Sequence, residues 1–210
     1  MQDPIFDLNC TLCPRLASFL SEVKEKYPDY HSRPVAPFGD DKARVLIVGL
    51  APGMHGANAT GRPFTGDHAG ILLYETLYEF GFSTAPQSIS ADDGLKLLNC
   101  RITNAVKCLP PQNKPVGAEI NTCNHFLKNE LNSLPEQSVV IALGSIAHNA
   151  IIKALSLKLK DYKFGHLNQH QIPMGSLLDS YHCSRYNTQT RRLTPEMFKQ
   201  VFELARQLVT

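Results

Sequence analysis

The chain has 210 residues, 43% of them hydrophobic, and a net charge of +2. That suits one globular domain with a proper core, and the charge is too weak to argue nucleic-acid binding by itself. No apolar run is long enough to cross a bilayer, and the first residues lack the basic and apolar regions of a signal peptide. A cytoplasmic location is therefore expected, nucleoid-associated if the source is a prokaryote. Six cysteines stand at Cys10, Cys13, Cys100, Cys108, Cys123 and Cys183. Structural disulfides are not expected in such a compartment, which leaves metal ligation, chemistry or simple burial.

In chain order, Cys10 and Cys13 form a C-x-x-C pair before any strand. Such a pair ligates a metal or cycles as a redox disulfide, and the redox form wants a βαβ context. Residues 16–27 read as a helix, with Leu16, Phe19, Leu20 and Val23 on one face, and 28–39 as a proline-rich loop. Val45, Leu46, Ile47 and Val48 then read as a buried strand. A Gly/Pro loop follows from Gly49 to Asp67, too long for a mere βα connector. A helix over 69–80 ends at Gly81. Residues 101–106 read as a second strand, running into a stretch with Pro110, Pro111 and Pro115 that cannot be regular. A helix over 117–131, a strand over 139–143 and a helix over 146–157 come next. Residues 158–175 read as a hairpin or open loop, and 176–181 as a fourth strand. Thr194 and Pro195 open a last amphipathic helix. Strands alternating with helices predict an α/β fold with a parallel sheet covered on both faces.

Ligands of such sheets bind outside the carboxyl ends of the strands, and several side chains stand there. Phe64 is a core anchor or a stacking platform. Asp67 is the N-cap of the next helix, a catalytic carboxylate, or both. Asn104 closes its strand as a turn residue or offers its amide to the edge of a base. His182 is structural or functional, and His55 a loop donor or a plain surface residue. From Tyr181 to the end, five Lys/Arg face two Asp/Glu, with Arg185, Arg191 and Arg192 close together. Phosphate contact and an ordinary solvated surface both explain that. Four thiolates on Cys10, Cys13, Cys108 and Cys123 would suit zinc or an iron–sulfur cluster. Buried thiols beside an incidental C-x-x-C would read the same way.

Taken together the motifs resemble the iron–sulfur uracil-DNA glycosylases, most closely family 5, the type b enzymes. The resemblance is carried by Gly49-Leu50-Ala51-Pro52-Gly53 with His55-Gly56-Ala57-Asn58, and by Gly61-Arg62-Pro63-Phe64-Thr65-Gly66-Asp67. It extends through Ile102-Thr103-Asn104-Ala105-Val106-Lys107-Cys108 and His182-Cys183-Ser184-Arg185-Tyr186-Asn187, and through the four cysteines. It implies one α/β/α domain over residues 1–210 around a four-stranded, mainly parallel sheet, with segment 1–40 contributing two cluster cysteines. It implies a structural [4Fe–4S] cluster on Cys10, Cys13, Cys108 and Cys123, with zinc as the alternative. It implies a monomer that flips uracil, or another deaminated base such as hypoxanthine or xanthine, out of DNA and hydrolyses its N-glycosidic bond.

Site roles follow from the same resemblance. Asp67 and His182 are the expected catalytic pair. Gly49, Ala51, Gly53, His55, Phe64 and Asn104 are expected to hold the base. Asn58, Arg62, Ser184, Arg185, Tyr186, Asn187 and Arg191 are expected to meet DNA. Classical members carry an aspartate where this chain has Ala51, and family 4 an acidic residue at the Leu50 position, so the carboxylate's task falls to Asp67. Cys183 stands where proline is commoner. The competing class is a non-catalytic, metal-stabilised module that binds damaged DNA. A thiol oxidoreductase on Cys10 and Cys13 would leave Cys108 and Cys123 unexplained.

Overall fold

The structure is a computed structural model describing residues 4–209. Helix α1 (Pro14–Lys26) starts directly after Cys13, with Pro14 supplying the fixed φ that suits a first helical position. Strand β1 (Phe38–Gly39) precedes β2 (Val45–Gly49), and the 49–67 loop holds one short helix, α2 (Ala57–Thr60). Helix α3 (His68–Glu79), β3 (Cys100–Asn104), α4 (Gly117–Asn132), β4 (Ser138–Leu143) and α5 (Ser145–Ala154) follow. The chain closes with the antiparallel hairpin β5 (Gln169–Ile172) and β6 (Gly175–Ser180), then α6 (Arg185–Gln189) and α7 (Pro195–Leu208).

The sheet has six strands in the order β1-β3-β2-β4-β6-β5. The expected four-stranded parallel sheet is its centre: β3, β2, β4 and β6 pair in parallel. The two outer strands correct the count. β1 and β5 run antiparallel at the edges, and each is too short or too polar to show an apolar period. Every residue of β2, β3 and β4 is buried, as parallel strands covered on both faces must be.

One face packs Val45, Ile47, Ile102 and Ile141 under α3 and α7, through Leu73, Leu77, Phe198 and Phe202. The other packs Leu46, Val48, Val140 and Leu177 under α4 and α5. A third cluster seats α1, with Leu16, Leu20 and Val23 meeting Val106, Leu109 and Phe126. Arg15 fastens α1 to α4 through a forked contact with Glu119, at 2.7 and 2.8 Å. The last helix starts as its sequence reads, with Thr194 Oγ1 accepting from the Met197 N–H at 3.2 Å.

The long 49–67 loop is pinned from outside. Arg62 is buried; its guanidinium donates to Asp93 at 2.7 Å, to Ser88 at 3.0 Å and to the Ala91 carbonyl, and lies over the Phe38 ring. Burial works to raise the Asp93 pKa, but Arg62 and the N–H groups of Leu95, Ile89 and Ser90 hold it down to about 2. A carboxyl whose folded pKa lies below its ordinary 3.8 stabilises the fold above that value and stops doing so as pH falls toward 2. Asp93→Asn should therefore lower the melting temperature at pH 7 and flatten the acid limb of stability between pH 4 and 2. Melting curves across that range check it.

Candidate active site

A cavity of about 540 Å³ opens at the carboxyl ends of the four central strands, and Phe64, Asp67, Asn104 and His182 all line it. They come from three loops widely separated in the chain, so the parallel sheet itself assembles the site.

Phe64 is held in an uncommon way. Its φ is +59°, in the left-handed region a bulky residue seldom adopts. Its neighbours enforce this: Arg62 is ion-paired, Tyr74 Oη donates to the Pro63 carbonyl at 2.9 Å, and Thr65 and Ser88 share a hydroxyl bond of 2.7 Å. Such strain persists only where the surroundings over-determine it. The ring packs against Gly49, where a Cβ would stand 2.7 Å from Phe64 Cζ and 2.4 Å from Asn104 Oδ1. Only glycine lets the two side chains meet there. The His182 ring lies near-parallel to Phe64, centroids 6.0 Å apart.

Asp67 occupies the N-cap position of α3 but makes no capping bond. Its carboxylate turns back into the loop and accepts from the Ala57 N–H at 3.0 Å. Gly53 and Gly56 make room for it; a Cβ on Gly56 would stand 2.0 Å from Asp67 Cγ, and one on Gly53 2.3 Å from Oδ1. Burial raises the Asp67 pKa, while the Ala57 and Gly53 N–H groups and His55 oppose the rise. The carboxylate is thus caged, partly dehydrated and aimed by backbone alone.

Among the described residues, two buried polar groups at the cavity lack partners. Asn104 is 4% exposed and its Oδ1 makes no hydrogen bond; His182 Nδ1 is buried and equally unpaired. A buried polar atom left unsatisfied costs about 1–3 kcal/mol, which a ligand able to bond it would remove. Burial lowers the His182 pKa to about 4, so the ring is neutral at pH 7. A neutral imidazole keeps one N–H to donate toward developing negative charge.

Other expected site residues are placed differently. Gly49, Ala51 and Gly53 border the site, but His55 points outward, bonding Tyr30 Oη at 2.9 Å. Asn58 is fully buried, its main chain bonded to Ser32 and Gly53, so it presents nothing to DNA. Arg62, buried in its ion pair, is a loop fastener rather than a phosphate ligand. Ser184 caps α6, and Asn187 Nδ2 donates to the His182 carbonyl at 2.8 Å; both shape the loop while lining the cavity. Arg185, Tyr186 and Arg191 are exposed, Tyr186 at 71%. The wall also includes Arg192, of the basic cluster, and Gly144, Ser145, Phe164 and Tyr181, the last four not expected as site residues. Tyr181 had a signal in its place beside His182 at a strand end; Phe164, in an irregular stretch, had none.

Beyond the end of β3 the four cysteines Cys10, Cys13, Cys108 and Cys123 line one pocket. Burial pushes the Cys108 thiol up to about 12, and its three cysteine neighbours push the same way. Four thiolates therefore repel one another unless a cation lies between them. The Lys107 N–H points at Cys123 Sγ, 3.4 Å away. Cys100 and Cys183 are separate and fully buried.

Geometry of this kind defines a class first: an α/β protein whose sheet rim gathers an aromatic ring, two unpaired polar groups and a caged carboxylate around one cavity. Within that class the sequence is specific. Residues 36–206 match the family described as the uracil DNA glycosylase superfamily, and the chain belongs to it. It is 47% identical over 205 residues to a type-5 uracil-DNA glycosylase of Thermus thermophilus, covering 95% of this chain and 93% of that protein. It is 42% identical to one from Pyrobaculum aerophilum, over 94% of this chain and 88% of the other. It is 39% identical to one from Mycobacterium tuberculosis, over 95% and 78%.

Nitrogen-15 spectra should show the His182 ring neutral from pH 5 to 8. Titration near the ordinary 6.5 would contradict the burial described.

Proposed function

We propose that the chain is a monofunctional uracil-DNA glycosylase that acts as a monomer on DNA carrying uracil or other deaminated bases. The observation that carries this reading is the meeting of Phe64, Asp67, Asn104 and His182 in one cavity. The relatives do not favour the binding-only alternative, since over most of their length they are named as glycosylases.

A glycosidic bond inside a stacked duplex is out of reach, so the nucleotide must be extruded. The flipped base lies against Phe64, and the Asn104 amide pairs with its edge. Water adds its oxygen to the sugar carbon as the N-glycosidic bond breaks. The bonding electron pair leaves with the base, and the sugar turns oxocarbenium-like. The His182 N–H stabilises the anion forming on the base, as an oxyanion hole would. Asp67 orients the water, takes its proton and offsets the positive sugar. Arg185, Tyr186 and Arg191 are exposed, and Arg185 lines the cavity, so this loop would meet backbone phosphates and the vacated stack. None of the lining residues is a lysine, so no Schiff base forms and no strand is cut. An abasic site is the product.

The four-cysteine pocket fits an iron–sulfur cluster better than zinc. Ligands of one tetrahedral zinc sit about 3.8 Å apart, given Zn–S bonds near 2.3 Å. Among the described residues no three of these sulfurs fall within 4.8 Å of one another. Cys10, Cys13, Cys108 and Cys123 would hold the cluster, with the Lys107 N–H bonding Cys123 from behind. When bound it supplies no step of the hydrolysis; it staples the N-terminal segment to the end of β3 and to α4.

Incubation with U:G duplex followed by alkali should reveal abasic sites. Asp67→Ala should slow single turnover by about a hundredfold to ten-thousandfold with binding largely kept. Gly56→Ala, which pushes the same carboxylate aside, should behave alike. An unchanged rate in both would remove Asp67 from the mechanism. Purified anaerobically, the protein should carry four irons and four sulfides, a count set by the proposed cluster type. Cys108→Ser should lose them together with thermal stability, and stoichiometric zinc in their place would overturn the assignment.

A further inference from the structure

On the α4/α5 face of the sheet, beneath the cavity wall, lies a buried cluster that the hydrolysis does not use. His148 on α5 and Asp179 on β6 are both fully buried, with Nδ1 and Oδ1 2.7 Å apart. The other ring nitrogen, Nε2, faces the Tyr162 carbonyl at 2.9 Å. A backbone carbonyl only accepts, so Nε2 must carry hydrogen. Nδ1 then faces a carboxylate that, when ionised, also only accepts. Two lone pairs cannot rest 2.7 Å apart, so a proton lies between them. The carboxylate's second oxygen accepts from the Gly165 N–H at 3.2 Å and lies 3.4 Å from His170 Nε2 on β5. Placed on His148, that proton makes the contact an imidazolium–carboxylate pair. Burial works against it, but the bond and the charge of Asp179, with the Tyr162 carbonyl, outweigh burial and raise the His148 pKa.

The pair holds more than itself. Residues 162–170 are laced to it through the Tyr162 carbonyl, the Gly165 N–H, the Leu167 N–H on the Asp179 carbonyl at 2.9 Å, and the Asn168 carbonyl on the Asp179 N–H at 3.0 Å. Leu167 takes a φ of +65° within this lacing. The Phe164 ring stands edge-on to His148, centroids 5.7 Å apart. His166 stacks on Tyr181 at 5.1 Å and accepts its N–H at 3.2 Å. Phe164 and Tyr181 are cavity wall.

We propose that His148 and Asp179 are positioning residues for base recognition: their buried imidazolium–carboxylate pair fixes segment 162–168 so that Phe164 closes one wall of the nucleobase pocket. This rests on the glycosylase reading of the cavity, so the test has an arm that needs no catalysis. Neither residue touches the base; they act through Phe164.

In nitrogen-15 spectra of the DNA-free protein, both His148 ring nitrogens should be protonated from pH 6 to 8. A neutral ring there overturns the proposal. So does a chelator-resistant metal ion bound to His148, Asp179 and His170. In His148→Gln the Gly165 and Leu167 amides should exchange with solvent faster than in the parent, and unchanged exchange counts against it. On U:G duplex, His148→Gln should raise the half-saturating protein concentration up to about tenfold, the scale of one aromatic contact, while the maximal single-turnover rate stays nearly level. Phe164→Ala should raise it at least as much, and the double variant should be no worse than Phe164→Ala alone. Additive losses would mean that His148 acts by another route. Should uracil not be excised at all, the glycosylase reading fails, while the ring protonation and amide exchange still decide whether the pair holds this wall.

Discussion

Four neighbouring strands, β3, β2, β4 and β6, point the same way, and everything at the site depends on that. Parallel strands finish at one rim, so loops far apart in sequence arrive beside one another. Gly49 ends β2 directly opposite Asn104, which ends β3. Because the register sets this pair, the space left by the missing Cβ of Gly49 falls where Phe64 and Asn104 converge. A one-residue slip would turn every side chain of the strand to the other face and separate them.

Three polar groups of the cavity share one trait: each is kept short of partners or of water. Asn104 Oδ1 and His182 Nδ1 are unpaired, the His182 ring is neutral, and Asp67 is partly dehydrated within glycine walls. Preorganised dipoles in a dry site need little rearrangement when charge develops. The cost is met by the two large cores on either side of the sheet. The clamps on Arg62, Pro63 and Thr65 likewise hold Phe64 in a conformation it would not choose.

Much of this was readable in the chain. The apolar run at 45–48, the glycine loop and the helix start at Thr194 each declare themselves by local chemistry, and the four cysteines did so through spacing and resemblance. The failures are equally local. β1 is two residues long and β5 is polar, so neither carries a period. Arg62 looked like a phosphate ligand because a motif shows a charge but not the Asp93 that neutralises it thirty-one residues on. Asn58 and His55 were misplaced because a glycine loop does not reveal which way its side chains turn. Phe164 and the His148–Asp179 pair depend on contacts between distant elements, which no window of sequence contains.

The cysteine pocket draws one half of its sulfurs from before α1 and the other from the end of β3 and from α4. The apolar seat of α1, built from Val106, Leu109 and Phe126, also comes from that later stretch. During translation the amino-terminal arm therefore emerges long before anything exists for it to dock on. The segment that carries Cys10 and Cys13 must wait until more than half of the polypeptide has been made. Closing that arm is therefore a late event in folding.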